Sequence, residues 1–399
     1  MALKGSQKLA ILLCKFTDTE NISSPPKSFF ENLFVNRGTG GLNDYWSDSS
    51  QGNIDLNGSQ VFDWKVSDQT LAEFLQDRPT RWDKIVTAIS TFALDTSKYA
   101  GVVAIYNVNV KDGGNSGIGV LAGPVDWNVT FLGHETGHVF GLQHSFDQST
   151  RLKETWSSPG EYYDMYDIMS AMNVYTGNHP QFGSYGPLLN APNLERMSWL
   201  DPSRVWTQIN PNNSSRTLDV VSLGHREIPG YQVIKIADLY IEFRTQDKWD
   251  IGINRPAILI HKMAGANSVI MASDKTYFIN DWQPGQIYGP SDAEWMIHGG
   301  LRIYIDSFDL VNNKARISFS HRPDPVPPDG PNQPDWHIYE RFLRDYTVVE
   351  REVSQLHKEI FNTTKEVFEA RKELLQTRQE LLTINTELSE IKGLVQKRK

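Results

Sequence analysis

The sequence predicts an α+β chain in three parts: a mixed sheet covered by helices, an all-β sandwich-like region, and a C-terminal α-helical coiled coil. Three observations lead there. Residues 8 to about 200 alternate continuous apolar runs with helix-period segments. Residues 203–322 shorten to alternating runs separated by Gly, Asn, Asp and Pro. From residue 336 onward apolar side chains return every seven positions.

Within the first part, residues 9–16 and 102–110 are nearly unbroken apolar runs, the pattern of central strands buried on both faces. Thr80 precedes Trp82, Ile85, Val86, Ile89 and Phe92, an N-cap followed by one apolar helical face. Residues 112–119 are glycine-rich and read as a flexible turn into a short strand at 120–122. The turn lacks the Lys-Ser/Thr ending of a phosphate loop. In the second part, Leu301, Ile303 and Ile305 alternate inward, as do Ala315, Ile317 and Phe319.

Residues 323–335 are Pro-rich and form an extended spacer that builds no core. Beyond it, position a runs from Tyr339 through Ile360, Leu374 and Leu388 to Val395, and position d from Phe342 through Leu356 and Ile384 to Ile391. The flanking charges match Glu366 with Arg371, Glu373 with Arg378 and Glu387 with Lys392 in a parallel arrangement, whereas antiparallel pairing opposes glutamates. Leu at a with Ile at d leans toward three or four strands. A parallel trimer or tetramer through residues 336–399 is therefore expected, with docking to a larger assembly the other use of such a stalk.

Composition narrows the partners. With 39% hydrophobic and 22% charged residues, the 399-residue chain has material for several domains. A net charge of -9 and a pI near 5.6 leave no basic face for nucleic acid. The single cysteine, Cys14, excludes an intrachain disulfide and a cysteine-rich metal site, and it sits inside the first apolar run. No apolar segment nears the roughly 20 residues of a membrane helix. Asp18 and Glu20 form an acidic pair of the kind that can bind Ca2+, against the alternative of solvated loop charge.

The chemistry concentrates in His134-Glu-Thr-Gly-His138-Val-Phe-Gly141-Leu-Gln-His144. Val129, Leu132, Thr136, Val139 and Phe140 share one helical face, so His134 and His138 lie one turn apart on the other. Gly141 ends the helix in the left-handed region and lets His144 approach from the side. Three neutral imidazoles leave a fourth zinc position open, the mark of a catalytic site. Glu135, one position along the helix, is placed to take a proton from the water that zinc activates.

HETGHVFGLQHS resembles the extended zinc-binding motif of the metzincin metalloproteases, and Asp-Ile-Met169-Ser is similar to the methionine turn of immune-inhibitor and gametolysin-like peptidases. The resemblance covers roughly residues 8–263, including the stretch from Leu42 to Gly58. It implies a metzincin-like catalytic domain over 1–202 followed by the β-rich region, one Zn2+ per chain on His134, His138 and His144, and endopeptidase activity with Glu135 as general base. It also implies an extended substrate adding to a sheet edge, for which Gly119, Val120, Leu121 and Ala122 are the candidates. Relatives of this kind are extracellular or exported, although no signal peptide is visible, which leaves cytoplasmic storage or leaderless export open. Two departures stand out. The immune-inhibitor type tends to carry an acidic residue at the position of His144, and Ala171 occupies the place where several metzincins have a tyrosine that assists the oxyanion. The competing reading is a catalytically idle protease fold multiplied by the coiled coil for avid surface recognition.

Overall fold

The structure, a computed structural model, describes residues 3–111, 113–208, 216–275, 277–289 and 301–321. The chain divides into two units, Met1–Asp324 and Pro325–Lys399. The spacer expected at 323–335 and the coiled coil expected at 336–399 lie outside the described residues, as does the oligomeric state drawn from them.

The first half runs β1 (Gly5–Ser6), β2 (Leu9–Lys15), α1 (Lys27–Phe34), α2 (Leu42–Ser49), β3 (Ile54–Asp55), β4 (Gln60–Val66), α3 (Leu71–Asp77), α4 (Arg81–Thr91), β5 (Gly101–Tyr106), β6 (Gly114–Ser116), β7 (Gly119–Ala122) and α5 (Val129–Val139). Its main sheet has the order β4-β2-β5-β7-β6, parallel except for the β6–β7 pair. The two apolar runs form the centre. Leu9, Ile11 and Leu13 face a core shared with Trp46, Leu132 and Met169, whereas Ala10, Leu12 and Cys14 face Phe74, Ile85 and Tyr106. Alternate side chains of one strand thus fill two cores, which is why the run shows no polar interruption.

The α4 helix begins at the expected cap: Thr80 Oγ1 accepts the Asp83 N–H at 3.1 Å and Asp83 accepts the Thr80 N–H at 3.2 Å. Its buried face centres on Ile85 and Ala88, with Trp82 and Val86 exposed. The expected apolar stripe is therefore narrower than the sequence suggests.

The second half runs β8 (Phe146–Asp147), β9 (Gly177–His179), β10 (Gly183–Tyr185), α6 (Ala191–Arg196), β11 (Val205–Gln208), β12 (Arg216–Val221), β13 (Val233–Ile236), β14 (Leu239–Arg244), β15 (Ala257–Ala264), β16 (Asn267–Ile270), β17 (Ile287–Tyr288), β18 (Leu301–Asp309) and β19 (Lys314–His321). A six-stranded sheet, β11-β13-β14-β15-β16-β8, and a four-stranded antiparallel sheet, β12-β19-β18-β17, enclose a third core. Ile234, Ile241, Ile258 and Ile260 meet Ile303, Ile305, Ile317 and Phe319 there, as the alternation implies. The coarse class is α+β, with several mixed sheets and few helices.

The six-stranded sheet does not respect the expected division at residue 202. Its last strand, β8, comes directly after His144 and pairs in parallel with β16. Among the described residues, no helix is long and apolar enough to cross a membrane.

Candidate metal centre

The α5 helix starts at Asn128, whose side chain accepts the Phe131 N–H at 2.9 Å, and ends where Gly141 takes φ 97°. Its inner face is locked from α2: Trp46 Nε1 donates to Thr136 Oγ1 at 2.9 Å. Gly137 meets the methionine turn, where a Cβ would lie 2.7 Å from Met169 Sδ. The small residue in the middle of the motif is therefore required by the methionine packed beneath it. Met169 is itself fully buried.

His134, His138 and His144 come together as the sequence predicts. His138 Nε2 lies 3.1 Å from His134 Nε2 and 3.0 Å from His144 Nε2. Each opposite nitrogen is occupied: His134 Nδ1 by the Ile168 carbonyl at 2.9 Å, His138 Nδ1 by the Leu142 carbonyl at 3.0 Å, and His144 Nδ1 by the Glu161 carboxylate. Carbonyls and carboxylates accept, so each ring carries its proton on Nδ1 and turns an Nε2 lone pair inward. Three lone pairs this close repel unless a cation lies among them, and the set of three imidazoles suits zinc. Among the described residues, these three are the group of His, Cys, Asp and Glu side chains whose ligand atoms converge in this way. Asp18, of the acidic pair considered for Ca2+, accepts the Leu71 N–H at the start of α3 at 2.9 Å, and Lys15 Nζ donates to the backbone carbonyl of Glu20 at 2.9 Å.

The electrostatics favour neutral ligands. Burial, followed by its two histidine neighbours, holds His134 well below the usual histidine range, and burial brings His138 down to about 4. Glu135 is half-buried and pushed up to about 7 by desolvation, against the opposing influence of Arg81 and the Asn115 N–H. Burial works to raise Glu161, but its bonds to His144 and to the Ser158 N–H outweigh it and hold the carboxyl below its ordinary range.

Two residues at the centre escaped the sequence reading. Glu161 orients His144, and the adjacent Tyr162 brings its hydroxyl to 3.2 Å from His144 Nε2, with its ring centroid 4.4 Å from that imidazole. Tyr162 adopts φ 66°, uncommon for a residue with a side chain, and burial raises its phenol pKa, so it stays a proton donor. Tyr175, past the turn, accepts the Asn254 amide at 2.6 Å instead.

The methionine turn rests on a buried polar network. Asp167 accepts the Met169 N–H at 2.8 Å and the Asn193 amide at 2.7 Å, and Asp164 bonds His261 at 3.0 Å. Burial, then the charge of Asp164, lifts Asp167 to about 6. The bond from the Ser145 N–H to the Met169 carbonyl, at 3.2 Å, closes the turn onto the third histidine.

The expected substrate edge needs correction. Gly119, Val120 and Leu121 pair with β5 on one side and β6 on the other, and Ala122 pairs with Ile105, so β7 is an interior strand. The open edge is β6, Gly114–Ser116, hidden in a glycine-rich stretch that reads as a turn.

No family model matches the chain, and no curated protein matches it. Among solved structures, one titled "Structure of a chaperone-substrate complex" aligns over 49% of this chain and 34% of that chain, at 16% identity and a TM-score of 0.25. This chain thus spans about a third of that one, a likeness too slight to argue from.

Proposed function

We propose that this chain is a zinc-dependent endopeptidase that hydrolyses peptide bonds in protein substrates. One observation carries the reading: three inward Nε2 atoms, each backed at Nδ1, stand beside a half-buried glutamate on the helix that carries two of the histidines. The resemblance of residues 134–145 and of the Met169 turn to metzincins supports it and gives the fold expected of such an enzyme. Zinc held by His134, His138 and His144 would supply a Lewis acid that polarises the scissile carbonyl and lowers the pKa of water to about 7.

Glu135 takes the proton from the attacking water and returns it to the leaving amine nitrogen. Tyr162, at the same nitrogen of His144, donates its O–H to the oxygen on which negative charge develops. Glu161 and the carbonyls of Ile168 and Leu142 keep the three rings from turning. The heptads of residues 336–399 would gather such centres into a parallel trimer or tetramer, on an exported protein.

Zinc content and cleavage of a denatured protein, measured for the wild type and for Glu135→Ala, test the reading. One zinc per chain in both, with cleavage by the wild type alone, is expected. Stoichiometric zinc with no cleavage by either would point instead to an idle protease fold displayed on the stalk for binding.

A further inference from the structure

The loop between the third histidine and the methionine turn closes on itself. The Gly160 N–H donates to the Arg151 carbonyl at 2.8 Å, and the Gly160 carbonyl accepts the Asp147 N–H at 2.9 Å. Residues 151–160 thus form a compact loop with joined ends, a type that often carries function. At its tip lies a reverse turn over residues 154–157, closed by the Ser157 N–H on the Glu154 carbonyl at 3.1 Å. The hydroxyl of the buried Ser157 accepts the Glu154 N–H at 3.0 Å and donates to the Glu154 carbonyl at 2.9 Å. Trp156 is the third residue of that turn, and it is 57% exposed.

Two ties fix this indole relative to the histidines. Its ring meets Tyr162 in a T-shaped contact, with centroids 6.1 Å apart and planes at 83°, and Tyr162 in turn rests on His144 at 4.4 Å. Just past the turn, Ser158 donates its N–H to Glu161 at 2.6 Å, and the same carboxylate holds His144. Trp156 therefore stands one aromatic ring away from a ligand imidazole, on backbone that is anchored from both sides. A large apolar surface presented on a fixed turn loses little conformational freedom when a partner covers it.

On the peptidase reading, Tyr162 brings its hydroxyl to the scissile carbonyl oxygen. A long side chain on a residue flanking that bond then comes within reach of the indole that packs on Tyr162. What the indole rewards is apolar contact, greatest for another ring that displaces water from it.

We propose that Trp156 is a specificity-determining residue of this centre, selecting a large apolar side chain, aromatic above all, at a residue flanking the scissile bond. The proposal rests on the peptidase reading above and deepens it by naming the substrate class.

The test uses the full zinc-loaded chain and matched peptides carrying Phe, Ala or Lys at successive positions around the scissile bond. Cleavage is followed by mass spectrometry, and binding of the same peptides to the Glu135→Ala protein by fluorescence anisotropy. At one flanking position Phe should exceed Ala by about tenfold in both readouts, the scale of one aromatic contact with the apolar area it covers. The ratio should hold at high salt, since no charge pair is involved. Trp156→Ala should bring the Phe/Ala ratio near one, and Trp156→Phe should retain part of it. Each ratio compares peptides on one protein, so a variant that yields less folded material does not mimic the effect. A ratio near one in the wild type, a preference for Lys through the ring face, or an unchanged ratio in Trp156→Ala overturns the assignment of Trp156 while leaving the peptidase reading intact. Failure of the zinc-loaded wild type to cleave any peptide overturns both.

Discussion

Trp46 and Thr136 are ninety positions apart in sequence, and the indole N–H of one donates to the hydroxyl of the other at 2.9 Å. Both are fully buried, and Thr136 sits between Glu135 and the glycine that receives Met169. The helix that carries two of the histidines is therefore fixed in rotation from an element it does not follow in the chain.

Trp46→Phe keeps an aromatic ring but removes that donor and leaves space. A stability loss of about 2–4 kcal/mol is expected from the unpaired acceptor and the cavity together, read by urea denaturation. Weaker zinc retention should accompany it, because the helix loses its stop. An unchanged midpoint with unchanged zinc affinity would show that Trp46 does not brace the centre.

Glu161→Gln should weaken zinc affinity by about 10–100-fold in chelator competition, since it removes the charge behind His144 and leaves the three ligands in place. A variant that binds zinc as tightly as the wild type would deny Glu161 any orienting role.

For Tyr162→Phe, zinc content should hold because the ring still packs on His144, while kcat/KM falls by about 10²–10³-fold, as for loss of one oxyanion donor. Equal loss of zinc and activity would instead assign Tyr162 to the architecture of the site.

The contrast among these residues shows what the sequence makes legible. His134, Glu135, His138 and His144 are readable because helical periodicity and Gly141 fix their relative positions within eleven residues. Glu161 and Tyr162 lie in an irregular loop with no period, and only the loop's return, through the bond from the Tyr162 N–H to the Ser145 carbonyl at 3.1 Å, brings them to His144. The central strands 9–15 and 101–106 announce themselves as apolar runs. Strand Gly114–Ser116 does not, because three small or polar residues at an edge bury too little to leave a pattern. The pairing of β8 with β16 is invisible for another reason: two-residue strands are chosen by tertiary context, not by propensity.

Acidification should destabilise the metal-free protein through His138. Its pKa falls from 6.5 to about 4 on folding, so the folded state refuses a proton that the unfolded chain accepts. That contribution is fully present above about pH 6.5 and is lost as pH falls toward about 4, to the extent of about 3 kcal/mol. In His138→Asn the loss disappears. The stability gap between wild type and variant should therefore move in the variant's favour over this window, measured by urea unfolding without zinc. A gap independent of pH would contradict the shift.

Arg244 is fully buried, bonded to Glu242 at 3.0 Å and to Asp250 at 2.9 Å. Arg244→Leu leaves two carboxylates without their cation and should cost about 3–5 kcal/mol, or prevent folding altogether. Adding Glu242→Gln and Asp250→Asn to that background should recover a large part of the loss. If the triple variant is no more stable than Arg244→Leu alone, the cost lies in packing, not in stranded charge.

The two-residue strand after His144 is completed by residues 267–270, more than one hundred and twenty positions further on. On a growing chain, the whole HExxH helix emerges long before the strand that holds the third ligand's exit. Until β16 is made, the segment after His144 has its bonds to the Met169 turn and to residues 160–162 but lacks the strand that flanks it in the sheet. The surroundings of His144 are therefore completed by a strand made late in the described chain, and a zinc site there, if formed as proposed, would gain its last sheet neighbour only then.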